Sequence, residues 1–79
     1  MSLKIGEEKA QNKSIVAAIK YGMSKYSVSP EQLSLAMREH KVTLYRRFNH
    51  PEDFTLEELR AISAKIHIPL EKLINGETQ

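Results

Sequence analysis

Apolar residues recur at helical spacing along most of the chain, and no segment alternates apolar and polar with period two. In NKSIVAAIKYGMSKYS, Ile15, Ile19, Met23 and Tyr26 share one side with Ala18 and Gly22, the pattern of an amphipathic helix that Asn12 or Ser14 would cap. Gly22 costs about 1 kcal/mol against Ala in a helix interior, so it marks a place where another helix approaches closely. VSPEQLSLAM opens a second, short helix. Ser29 is the N-cap, Pro30 takes the first helical position, and Gln32 can close a capping box, with Leu33, Ala36 and Met37 buried. The third helix is KVTLYRRFN, with Leu44 and Phe48 on its core side, and Pro51 ends it after His50. Thr55 and Glu58 form another capping box before a fourth helix that buries Leu56, Leu59, Ile62 and Ile66. Pro69 starts a last short helix with Leu70, Leu73 and Ile74 as its apolar set, and Gly76 stops it. The expected fold is all-α, a compact bundle of about five short helices over residues 12–76, with a flexible polar tail at 1–11 and a short one at 77–79.

Length adds that 79 residues make one domain with a modest core. There is no Cys, so disulfides and zinc–thiolate sites are excluded. The longest uncharged run near the N-terminus is too short for a signal peptide or a spanning helix, so a soluble cytoplasmic protein with no membrane partner is expected. Charge is uneven. Residues 1–50 hold nine Lys/Arg and four Glu, whereas residues 51–79 hold three Lys/Arg and six Asp/Glu. A basic first part suggests a face turned to a polyanion, although chance alone produces such asymmetry in a small chain.

Candidate chemistry concentrates in the third helix. With Leu44 and Phe48 inward, about 100° per residue turns Val42, Arg46 and Asn49 outward, with Lys41 and Tyr45 along one edge and Arg47 along the other. The second and third helices are joined by only a few residues around Arg38, Glu39 and His40. Such a pair crosses steeply and can lay its second helix in the major groove of DNA, which is about 12 Å wide. Competing chemistries fare worse. His40, His50 and His67 are spaced by ten and seventeen residues, which fits no metal-ligand pattern. No nucleophile motif or Gly-rich phosphate loop is present, so neither enzymatic activity, nor a cofactor, nor a small-molecule substrate is expected.

The run LSLAMREHKVTLYRRFNHPEDFTLEEL, followed by IHIPLEKLI, resembles the lambda-repressor/Cro-like helix-turn-helix regulators of phage and prophage, and the resemblance extends over about residues 13–75. It implies a five-helix lambda-repressor-like domain acting as a sequence-specific transcriptional regulator on operator DNA, commonly as a homodimer. By position, Thr43, Leu44 and Phe48 would seat the recognition helix. Lys41, Val42, Tyr45, Arg46 and Asn49 would face the bases, while Ser29, Arg38, His40 and Arg47 would hold phosphates. The dimer surface would be the last helix or the N-terminal tail. The chain departs from the family pattern at Pro30, Ser34, Arg38 and Glu39. Glu39 in the turn and the small net charge favour an alternative: a helical protein-interaction module, such as an antirepressor or a phage assembly component, built on the same fold.

Overall fold

The structure, a computed structural model, describes residues 9–77, with side chains described from Lys13 onward. Five α-helices follow in order: α1 (Lys9–Lys25), α2 (Pro30–Ala36), α3 (Lys41–Asn49), α4 (Leu56–Ile66) and α5 (Leu70–Ile74), with a 3₁₀ turn at Pro51–Asp53. They form the expected all-α bundle. The expected tail at residues 1–11 lies outside the described residues as far as position 8, but from Lys9 the chain is already helical. Lys, Ala and Gln at positions 9–11 are all strong helix formers, so the helix propagates beyond its apolar stripe. Asn12 and Ser14 are therefore interior to α1 and do not cap it. At the other end, Glu77 is still bonded to α5, and positions 78–79 lie outside the described residues.

The core draws on every helix. Ile15, Ala18 and Ile19 from α1 meet Leu33 and Met37, Leu44 of α3, Leu59, Ile62 and Ile66 of α4, and Leu73 of α5. Phe54, in the connection before α4, is completely buried and is the largest side chain to be so. The hydrophobic pattern did not announce it, because a lone aromatic in a loop has no periodicity. Three other expectations shift. Tyr26 lies past the end of α1 and is exposed, and Ala36 and Leu56 are only half-buried. Gly22 lies where α1 meets α4; a Cβ there would stand 2.7 Å from Cβ of Ile66. The glycine thus leaves room for the Ile66 side chain to pack directly on the α1 backbone.

Both expected capping boxes form. The Ser29 hydroxyl accepts from the Gln32 amide at 3.1 Å while Gln32 Oε1 accepts from the Ser29 amide at 2.9 Å. Thr55 and Glu58 repeat the exchange at 3.1 and 2.9 Å. The C-termini of α1, α2, α4 and α5 share a second device. Amides of Val28, Glu39, Ile68 and Glu77 donate back to carbonyls of Met23, Ser34, Ser63 and Lys72, and the residues before them turn left-handed. These are Ser27 (φ 55°), Arg38 (φ 61°), His67 (φ 60°) and Gly76 (φ 75°). This six-to-one closure satisfies carbonyls the helix leaves open, and glycine is its usual residue. Here three of the four carry side chains. Gly76 has a further reason for its identity, since a Cβ there would collide with Ser14 of α1.

A left-handed L-residue costs about 1–2 kcal/mol, and glycine's extra freedom in the unfolded chain returns about 0.5–1 of that. Arg38→Gly is therefore expected to stabilise the fold by about 0.5–1 kcal/mol, read as a higher urea midpoint with unchanged slope. A lower midpoint would show that the Arg38 side chain contributes more than its backbone strain removes.

Candidate nucleic-acid interface

α2 and α3 are consecutive, pack directly on one another, and are joined by residues 37–40. Ser34, small enough to be buried, lets α2 pack closely, and its hydroxyl donates to the carbonyl of Glu31 at 3.0 Å. α3 is anchored by Leu44, wholly buried, with Thr43 and Phe48 half-buried beside it. Its other side is open. Lys41, Val42, Tyr45, Arg46 and Asn49 are all exposed, Val42 by 62% and Tyr45 by 46%. The Tyr45 ring meets the edge of Phe48 with centroids 6.4 Å apart, which fixes the aromatic on the rim of the helix. Apolar anchors on one side and donors, acceptors and a methyl-bearing side chain on the other are what groove reading requires.

Three expected contacts need separate treatment. Arg47 does not join the outward set. It lies on the flank of α3 that faces α4, where Nε and Nη2 donate to the two oxygens of Glu58 at 3.1 and 3.3 Å. The pair is largely shielded from solvent, and the bond to Glu58 raises the Arg47 pKa above its ordinary value. Glu58 also accepts from the Thr55 amide, so one carboxylate caps α4 and holds α3. Arg47 is accordingly a structural tie between α3 and α4. The Ser29 amide donates to Gln32 Oε1 and its hydroxyl oxygen accepts from the Gln32 amide in the capping box. The negative charge suited to that helix end is already supplied by Glu31, whose carboxyl is held below its usual range, first by the Lys41 ammonium and then by its own backbone amide. Lys41 remains a candidate. Its Nζ sits 2.8 Å from Glu31, a contact that raises its pKa, but both groups are exposed. Such pairs are weak and screened, so an external anion can displace Glu31.

Arg38 and His40, in the connection, are exposed, and His40 makes no side-chain cap bond. The pattern of the third helix gave no hint of a further cation. Lys20 of α1 places Nζ 5.4 Å from the Phe48 ring centroid. It borders a cavity of about 590 Å3 with Lys13 and Pro51, and an adjoining one of about 530 Å3 with Pro30, Tyr45 and Asn49. The i+7 repeat of Lys13 and Lys20, one face of a helix, was the signal that could have found it.

Among the described residues no group of three or more His, Asp or Glu side chains is placed to hold a metal ion, and no helix is long and apolar enough to cross a membrane. The last helix packs its apolar set against the core. Leu73 is wholly buried, and Leu70 and Ile74 pack half-buried against the core, so most of the apolar set is used internally. No known protein family, curated protein or solved structure matches the chain.

Proposed function

We propose that the chain is a sequence-specific DNA-binding transcriptional regulator of the prophage repressor type, with α3 entering the major groove of operator DNA. The observation that carries this reading is the two-sidedness of α3: Leu44 and Phe48 seat it, and Lys41, Val42, Tyr45, Arg46 and Asn49 face outward. In that pose Arg46 suits the acceptor edge of guanine, Asn49 the adenine edge, and Val42 a thymine methyl. Lys41, Arg38, His40 and Lys20 would meet phosphates and set the register. The resemblance of the α2–α3 sequence to phage and prophage regulators supports the same conclusion. A single module of this kind buries roughly 600–1,000 Å2, so useful affinity calls for two copies on half-sites about 34–36 Å apart.

The test is a fluorescence-anisotropy titration with random duplex and with selected sites at two salt concentrations. Binding should weaken with salt at a log–log slope of about −0.9 per phosphate contacted. Arg46→Ala should cost about 1–3 kcal/mol on a selected site. An unchanged curve for that variant, or no binding by the wild type at low salt, would overturn the reading. A second reading, a protein-interaction module, is favoured by Leu35, 77% exposed on α2 between the exposed Glu31 and Glu39. A partner held on that apolar spot would bind with little dependence on salt.

A further inference from the structure

Two exposed features lie off the outward face of α3, although Glu52 of the second also borders the cavity beside Lys13 and Lys20. The first is a cationic, aromatic pocket of about 370 Å3 where the end of α1 meets the α4–α5 turn. Tyr21 and Tyr26 are 46% and 42% exposed, and Lys25 places Nζ 5.9 and 5.5 Å from their ring centroids. The Tyr26 ring rests on His67 at 4.7 Å, with Lys72 beyond, and no carboxylate lines the pocket. Its floor is firm, because it includes Gly22, whose close packing on Ile66 fixes α1 against α4. The second feature is an acidic ridge formed by Glu52 and Asp53 of the 3₁₀ turn and Glu57 in the first turn of α4, all exposed. Glu52 has His50 at 3.5 Å, and Asp53 lies close enough to Arg47 to help raise its pKa.

We propose that the acidic ridge of one molecule docks on the Tyr21–Lys25–Tyr26–Lys72 pocket of a second copy, giving head-to-tail self-association. Three observations converge on a second copy as the occupant. The charges are complementary, and both halves of the pair are present on this chain. The two features flank opposite ends of α4, whose 11 residues span roughly 16 Å, so one molecule cannot satisfy its own pocket. The α4 dipole has the matching sense, its positive end at the acidic ridge and its negative end at the cationic pocket, so stacked copies align their dipoles. The contact is heterologous and does not close on itself; it adds copies in a row. Being exposed and charged, it is weak in free solution and gains when copies are held side by side. The molecule's longest Cα extent is 29 Å, so neighbours one DNA turn apart, about 34–36 Å, would stand nearly in contact. The self-association itself does not depend on the DNA reading and is tested on protein alone.

Sedimentation velocity on the full chain, at rising protein concentration and at low and high salt, provides the test. At low salt the weight-average mass should rise above the 9.1 kDa monomer, and at high salt it should return to it. Lys25→Glu/Lys72→Glu and Asp53→Lys/Glu57→Lys should each be monomeric throughout, with circular dichroism confirming that both fold. An equimolar mixture of the two should associate again, because each variant then offers charges opposite to the other's at both surfaces. A wild type that stays monomeric at every concentration would overturn the proposal. So would association by either variant alone, or a mixture of two folded variants that fails to associate.

Discussion

Phe54→Ala is expected to remove about 3–5 kcal/mol of stability, the usual cost of deleting a fully buried ring and leaving its cavity. Phe54 has no exposed surface and is the largest wholly buried side chain, yet it stands outside every α-helix. It is held there by the 3₁₀ turn, in which its amide donates to the carbonyl of Pro51 at 3.1 Å. A domain of this size has a total stability near the lower end of about 5–15 kcal/mol, so the variant should be close to its unfolding midpoint at room temperature. Each kcal/mol lost should lower the melting temperature by about 4–8 °C. Thermal denaturation followed at 222 nm reads this directly. A melting temperature within a few degrees of wild type would show that the ring is not the centre of the core.

Glu58→Ala should be the most damaging change at a polar side chain, at about 3 kcal/mol or more. It leaves the Arg47 guanidinium largely buried without its partner, and it takes the acceptor from the Thr55 amide. Arg47→Ala should cost less, because the Glu58 carboxylate keeps that amide. The double variant should cost less than the sum of the two, with a coupling of about 1–3 kcal/mol in a urea-denaturation cycle. Additive costs would mean that the two side chains do not interact. The same variants separate structure from recognition. Under conditions where it is folded, Arg47→Ala should bind DNA nearly as wild type does, whereas Arg46→Ala should not. Equal loss from both would return Arg47 to the phosphate contacts.

The elements most legible in the sequence are those marked by local chemistry. Ser29-Pro30-Gln32 and Thr55-Glu58 place two helix starts to the residue, because capping is decided within four residues of chain. The inward positions Ile15, Ile19, Leu33, Leu44, Leu59, Ile62 and Leu73 follow from period alone. The exposed set on α3 follows from the same geometry. What depends on distant contacts was not legible. Helix geometry already set Arg46 outward and Arg47 on an edge, but only the position of α4 gives that edge its partner, Glu58. Phe54 needed the whole core to explain it. Glu58 was visible as a capping residue but not as an ion-pair partner, since eleven residues and a turn separate it from Arg47. The start of α1 was misplaced because propensity, and not apolar spacing, carries its first turn.

The seat of Gly76 on Ser14 also determines where the chain leaves the bundle. α5 finishes against α1 only five residues from Lys9, about 7.5 Å along the helix. A short engineered linker between positions 9 and 77 would therefore make a circular polypeptide without moving a helix. Such a ring would lose freedom only when unfolded, which stabilises the native state in the way a long-loop cross-link does.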